Sequence, residues 1–181
     1  GTWTAPGGGA HSGTYDPAVD AGGVYTYTVN GTAPCAADQA TVTVTENAAP
    51  NAGADATLTT CSNAGTIALF PLLVGAQAGG IWTAPGGGAH SGTYDPAVDA
   101  SGVYTYTVNG IVPCTNATAT VTVSEQAQPN AGTNGTLNIC AGSTVNAAQL
   151  FAQLGGTPDV GGTWSPAFAG AGVYTYAVAA V

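Results

Sequence analysis

The chain has 181 residues, none of them lysine or arginine, and its nine acidic residues give a net charge of −9. Without cations it has no means of neutralising phosphate groups, which excludes nucleic-acid binding, and anionic membrane surfaces would repel it. The hydrophobic fraction of 45% is well above that of disordered chains, so the composition predicts folded domains.

One long segment is written twice. Trp3–Gly31 recurs as Trp82–Gly110, and the two copies differ only where Gly22 is replaced by Ser101, which sets a period of 79 residues. A shortened third copy opens at Thr163. Tandem arrays of small domains supply length, spacing and multivalency, so the repetition favours a non-enzymatic, structural or adhesive protein.

Two segments rich in Pro, Asn and Gly are predicted to be linkers between repeats, Asn47–Gly53 and Gln126–Gly132. They divide the chain into three parts. Residues 1–49 are predicted to be the C-terminal part of one repeat, 50–128 a complete repeat, and 129–181 the N-terminal part of a further one. We therefore expect an internal piece of a longer array, with any targeting signal or anchor outside it.

Alternation of apolar and hydroxyl residues predicts the strands of the complete repeat. In Gly102–Val108 the Tyr and Val residues face one way and the Thr residues the other, and Ala119–Ser124 repeats the pattern. Shorter strands are predicted at 57–60, 66–70, 80–84 and 92–94. Six or seven short strands predict an all-β fold, an antiparallel Ig-like β-sandwich. In the third part, residues 147–154 predict a single helical turn.

The four cysteines follow the repeat. Cys35 and Cys114 are one period apart, as are Cys61 and Cys140, so the complete repeat contains Cys61 and Cys114. This predicts the disulfide Cys61–Cys114 and an oxidising compartment outside the cytoplasm. The alternative pairs Cys35 with Cys61 and Cys114 with Cys140, across each linker. The spacings do not match those of zinc sites.

Two aspartates of the repeat, Asp95 and Asp99, are the first candidates for chemistry, and Asp16 and Asp20 are their copies. The main interpretation is that Asp95 caps the turn at Pro96 and Asp99 caps the next one, through bonds to backbone N–H groups. A calcium site and a glycosidase pair are the alternatives. We expect no cofactor, with calcium as the one that stays open.

The histidine and tryptophan residues have both structural and functional interpretations. His90 lies in a glycine-rich segment that predicts a mobile, exposed loop and a surface histidine, and Ser91 beside it lacks the Gly-x-Ser-x-Gly elbow of a nucleophile. The tryptophans are predicted to lie in the core, with stacking on sugars as the alternative: Trp3, Trp82 and Trp164.

The ordered combination of Pro-Asn-Ala-Gly, Gly-Gly-x-Trp, Tyr-Asp-Pro, Gly-Val-Tyr-Thr-Tyr-Thr-Val, Pro-Cys and Ala-Thr-Val-Thr-Val resembles the Ig-like repeats of SprB-type gliding adhesins of Bacteroidota, over essentially all 181 residues. The resemblance implies a very large, filamentous, extracellular adhesin, exported by the type IX secretion system and, in gliding species, driven by the motility machinery at the outer membrane.

The partners that the resemblance implies are extracellular surfaces or polysaccharides, and it supplies no catalytic residues. Two other functions are kept as alternatives. One is a self-assembling, pilus-like filament subunit, and the other is a set of spacer repeats in a secreted polysaccharide-binding protein.

Overall fold

The computed structural model describes residues 1–180, which form short strands with very little helix. The strands are β1 (Thr2–Thr4), β2 (Ala10–His11), β3 (Gly23–Val29), β4 (Asp38–Val44), β5 (Ala56–Cys61), β6 (Ile67–Ala68), β7 (Ile81–Thr83), β8 (Ala89–His90), β9 (Thr93–Tyr94), β10 (Gly102–Val108), β11 (Ala117–Gln126), β12 (Thr163–Ser165) and β13 (Thr175–Ala177). A 3-10 turn spans Phe70–Leu72 and a short helix, α1, spans Ala147–Phe151. The predicted all-β class is confirmed.

The chain divides into two compact units. Unit 1 contains Gly1–Asn51 together with Val108–Ala117, and unit 2 contains Ala52–Thr107 together with the residues from Thr118 onward. The change from unit 1 to unit 2 after Asn51 falls inside the first predicted linker. The division into three parts at residues 49 and 128 stays a prediction.

Unit 1 has one sheet with the strand order β2-β1-β3-β4, antiparallel throughout. Trp3 lies opposite Tyr27, and Tyr25 lies opposite Val42. The strands form where the sequence alternates strictly, because alternation gives an antiparallel sheet one apolar face and one hydroxyl face.

Unit 2 has a five-stranded sheet with the order β5-β11-β10-β7-β8, and two small sheets, β6-β9 and β12-β13. β5 runs parallel to β11, with Ala56 opposite Val121 and Cys61 opposite Gln126. The expectation of antiparallel pairing throughout is therefore wrong at this strand. A parallel pair needs a long crossover, and nearly the whole repeat lies between β5 and β11 to provide it.

The core of unit 2 follows the alternation. Its largest fully buried side chains are Leu69, Tyr94, Tyr104, Tyr106 and Val121. The copy of Val121 in unit 1 is Val42, which is 51% exposed whereas Val121 is fully covered. Unit 2 contains β5, β6 and the 3-10 turn, for which unit 1 has no counterpart in residues 1–180. The same segment of sequence is therefore buried in one unit and half-exposed in the other.

Two aromatic trios with the same arrangement lie in unit 2: Phe70, Trp82 and Tyr106, and Phe151, Trp164 and Tyr176. In each trio the tyrosine ring lies 5.0 or 5.1 Å from the tryptophan ring and 5.4 or 5.3 Å from the phenylalanine ring. Each tyrosine hydroxyl also accepts a backbone N–H, from Gly80 at 2.7 Å and from Gly162 at 2.8 Å. The segment from 129 onward thus rebuilds the aromatic contacts of the preceding repeat.

Helix α1 confirms the predicted helical turn. Its N-cap, Asn146, accepts a hydrogen bond from the backbone N–H of Gln149, and the Gln149 side chain accepts one from the Asn146 backbone. This reciprocal capping satisfies donors that a five-residue helix would otherwise leave unpaired.

Candidate functional site

The outer side of the main sheet of unit 2 carries a surface of hydroxyl groups, which we call the threonine face. Its members alternate along the strands with buried or half-buried residues: Thr57, Thr59, Thr83, Thr105, Thr107, Thr118, Thr120, Thr122 and Ser124. The strand register places hydroxyls side by side, with Thr57 opposite Thr122 and Thr83 opposite Thr105. The face is therefore a continuous two-dimensional pattern.

Unit 1 carries the same pattern. Thr26 on β3 lies opposite Thr4 on β1 and opposite Thr41 on β4, so three hydroxyls cross the sheet in one row. In the next row Gln39 Nε2 donates to Thr28 Oγ1 at 3.1 Å. Repetition of the sequence thus repeats the surface.

The chemistry of the threonine face is that of an uncharged, amphiphilic contact surface. Each threonine offers one O–H donor, two acceptor lone pairs and a methyl group. Ile81 and Val103 lie among the hydroxyls and are 59% and 48% exposed. No member of the face ionises, so it can hydrogen-bond and pack but has no acid, base or nucleophile of altered reactivity.

The sequence predicted that His90 lies on a mobile loop, but it lies in β8 opposite Trp82. A tight turn joins β7 to β8, in which Ala84 N–H donates to the Gly88 carbonyl at 2.7 Å. The His90 side chain is 9% exposed and its ring lies 4.7 Å from that of Tyr104. The glycines shape a hairpin turn here, and the histidine packs inward.

Both imidazole nitrogens of His90 are engaged. Nδ1 accepts the backbone N–H of Gly92 at 3.1 Å, so in the neutral ring the proton is on Nε2, which donates to Asp99 Oδ2 at 3.3 Å. Ser91 is turned away, with its hydroxyl bonded to the backbone of Thr93. The arrangement contains no serine–histidine pair.

The two candidate aspartates are bonded to the backbone of one turn. Asp95 Oδ1 accepts the N–H of Ala97 at 3.0 Å, as predicted for a cap of this turn. Asp99 does not cap the next turn, because its Oδ2 accepts the N–H of Asp95 at 2.8 Å and closes the same one. This bond from Asp95, together with His90, holds the pKa of Asp99 below its ordinary value.

A second polar pair was not found from the sequence. The hydroxyl of Tyr94 donates to Glu125, at the end of β11, and Tyr15 donates to Glu46 in the same way in unit 1. Burial and then the bond to Glu125 raise the pKa of Tyr94, whereas the bond to Glu46 is the largest cause that raises the pKa of Tyr15 to about 12. The two residues of this pair are 31 positions apart in both copies. Any two positions of a repeat keep their spacing from copy to copy, so this spacing alone could not identify the pair.

Trp82 lies in the core, as predicted, and is 8% exposed, whereas Trp3 and Trp164 are half-buried. A cleft of about 270 Å³ lies beside Trp82, lined also by Phe70, Gly80 and Tyr106. The Gly80 N–H at the rim is already bonded to the Tyr106 hydroxyl. Little of the indole remains accessible for stacking on a sugar ring.

The structure does not bring Cys61 and Cys114 together. Cys61 lies opposite Gln126, the last residue of β11, whereas Cys114 precedes Ala117, the first. The length of β11 between those ends is about 30 Å, and a disulfide requires a Cα separation of about 4.4–6.8 Å. A bond between the predicted partners would require β5 to leave β11. All four cysteines have free thiols, and the alternative pairing across the linkers stays a prediction.

No known family, curated protein or solved structure matches the chain. Residues 1–180 contain no helix that is long and apolar enough to cross a bilayer. Over the same residues, no three His, Cys, Asp or Glu side chains are grouped so that they could hold a metal ion.

Proposed function

We propose that the chain is a non-enzymatic repeat segment of a large filamentous cell-surface adhesin, which mediates attachment and, in a gliding cell, movement over a surface. The observation that carries this proposal is the threonine face, which is uncharged, extends over neighbouring strands and recurs from unit to unit. The Ig-like sandwich, the extracellular location, the type IX export and the coupling to motility machinery are parts of the same proposal.

Adhesion through such a face is weak at each contact and strong in sum. A single hydrogen bond to a surface contributes a net free energy of about 0.5–1.5 kcal/mol. Contacts held on one filament act at high effective concentration, so their combined affinity exceeds that of any single unit. Each contact still dissociates quickly, which a moving cell requires.

Charge restricts the partner. A chain with a net charge of −9 and no cation is repelled by acidic polymers and by its own copies. Hydroxyls and methyls arranged on a flat sheet suit neutral polysaccharides and uncharged solid surfaces. We therefore propose neutral polysaccharide as the favoured extracellular partner.

The experiment is attachment under flow of beads that carry the 181-residue chain, over immobilised neutral polysaccharide. One variant replaces three hydroxyls of the face by an isosteric side chain: Thr105→Val, Thr107→Val and Thr122→Val. The matched control changes three exposed hydroxyls outside the face: Thr66→Val, Ser101→Ala and Thr115→Val.

Loss of three bonds of about 0.5 kcal/mol each predicts roughly tenfold weaker attachment for the face variant. The control should attach as strongly as the unchanged chain. Equal attachment of both variants and the unchanged chain would show that the face does not carry adhesion.

One observation favours the self-assembling filament subunit as a second candidate. In unit 1, β4 is the edge strand of its sheet, and Val42 and Val44 are exposed or half-exposed although their copies Val121 and Val123 are buried. An open edge beside uncovered apolar residues can accept a strand from another molecule. Concentration-dependent fibres of the purified chain would support this candidate, and a monomer at all concentrations would contradict it.

A further inference from the structure

One backbone carbonyl of the repeat occurs twice in the structure, at Gln126 and, one period earlier, at Asn47. In unit 2, the Gln126 carbonyl accepts the N–H of Ser62 at 2.9 Å, next to Cys61, which is the register partner of Gln126. The carbonyl at the end of β11 therefore marks the place of Cys61.

In unit 1, the counterpart of this carbonyl belongs to Asn47, and a different cysteine, Cys114, lies beside it. The Cys114 thiol donates to the Asn47 carbonyl, with 3.4 Å between Sγ and O. Asn47 Nδ2 also donates to the Val112 carbonyl at 3.1 Å, so the loop that carries Cys114 is held at this point by two bonds. Cys114 is half-buried there, whereas its copy Cys35 is exposed.

The two carbonyls are one period apart in sequence, and the residue before each makes the same side-chain bond. The residue before Asn47 is Glu46, which accepts the Tyr15 hydroxyl, and the residue before Gln126 is Glu125, which accepts the Tyr94 hydroxyl. The chain is thus anchored in the same way immediately before both carbonyls. What lies beside Asn47 in one repeat is expected beside Gln126 in a continued array.

We propose that in a continued array Cys61 forms a disulfide with the counterpart of Cys114 in the following repeat, and that Cys114 forms the same bond with the counterpart of Cys61 in the preceding repeat. The thiol of that counterpart would lie no further from the Ser62 nitrogen than the two bond lengths together, about 6 Å, and Ser62 directly follows Cys61. This inference rests on the tandem array of the proposed function, but not on adhesion.

The bond forms by oxidation of two thiols. They lose two protons and two electrons, and an exchange reagent that carries a disulfide, such as oxidised glutathione, accepts the electrons and becomes two thiols. Each repeat would then be bonded to both neighbours. The linkers would no longer be the only covalent path along the filament, so tension would pass from repeat to repeat through the disulfides as well.

The test uses the 181-residue chain with residues 50–128 duplicated in tandem, so that two complete repeats are adjacent. One variant keeps Cys61 of the first copy and Cys114 of the second, and the matched control keeps Cys61 and Cys114 of the first copy. All other cysteines become serine. Circular dichroism first establishes that both proteins have equal strand content. Both are then equilibrated with reduced and oxidised glutathione and alkylated, and intact-protein mass spectrometry counts their free thiols.

We expect the variant to fall from two free thiols to none as a monomer, and the control to keep both. Closure of the control to the same extent, or two free thiols in both proteins, would overturn the proposal. If strand content is lost on serine substitution, the duplicated chain with all its cysteines is digested at acidic residues without reduction. A copy marked by Thr115→Ser then identifies whether the linked peptides come from one repeat or two. The readout is independent of attachment, so failure here would leave the adhesin proposal standing.

Discussion

The repeat supplies a controlled comparison of one side chain in two environments. Val121 and Val42 occupy the same position in the same sequence pattern, yet Val121 is fully buried and Val42 is 51% exposed. Replacement of either by alanine makes the same chemical change and the same change in strand propensity. The difference in its effect on stability therefore measures burial by the elements that only unit 2 contains among residues 1–180.

The expected magnitudes follow from that burial. Val121→Ala removes two buried carbon groups, at about 0.8 kcal/mol each, and leaves a small cavity that adds about 1 kcal/mol, so the free energy of unfolding should fall by about 2.5 kcal/mol. Val42→Ala removes half-exposed groups and leaves no closed cavity. Its cost should be about 0.8 kcal/mol or less.

The assay is hydrogen exchange at increasing urea, read by mass spectrometry on peptides from β4 and β11. Their sequences differ, as Asp38–Val44 and Thr118–Ser124, so each unit is followed separately. Val121→Ala should lower the opening free energy of β11 about three times as much as Val42→Ala lowers that of β4. Equal losses in the two units would refute the inference that the β5–β6 segment covers the sheet of unit 2.

Three further predictions concern stability. Tyr94→Phe removes the bond to Glu125 and should lower the free energy of unfolding by about 1.5–3 kcal/mol in urea denaturation. An unchanged midpoint would contradict the contribution of that bond. Gly92→Ala should destabilise the chain more than Gly86→Ala. Both glycines have positive φ, but a Cβ at Gly92 would lie 2.5 Å from the Trp82 ring, whereas one at Gly86 meets nothing within 4 Å. Equal melting temperatures of the two variants would contradict this. The pKa of Asp99 is lower in the folded chain than the unfolded value of about 3.9. Its contribution to stability is therefore present above that value and is lost as pH falls through the folded pKa, so Asp99→Asn should flatten the fall in melting temperature below about pH 4. An unchanged pH profile would argue against the turn bond.

Most of the strands were predicted from the alternation of apolar and hydroxyl residues. It placed β10 and β11 because a strand with one buried face needs apolar residues at every second position, and the tyrosines and valines provide them. The parallel direction of β5 could not be predicted this way, since alternation determines which face of a strand is buried but not which way its neighbour runs. That choice depends on the crossover made by the rest of the repeat.

The surroundings of His90, Asp95 and Tyr94 were harder to predict than the strands, because they depend on turns and on packing. The glycine-rich segment before His90 predicted a loose loop, yet positive φ at Gly86 and Gly87 forms a tight hairpin that returns the histidine to Trp82. Asp95 was correctly predicted as a cap because its partner is two residues away, whereas the partners Tyr94 and Glu125 are joined only by the folded sheet. Local bonds are visible in a sequence, and bonds made by packing are not.

The most direct measurement of the central claim is fluorescence of intact cells of the source organism, labelled with an antibody fragment raised against residues 50–128, while the cells attach to neutral polysaccharide under flow. We predict label on filaments at the surface of unlysed cells, and loss of attachment as the fragment saturates the threonine face; in a gliding species the label should travel along the cell. Label that appears only after lysis, or attachment unchanged at saturation, would contradict the adhesin.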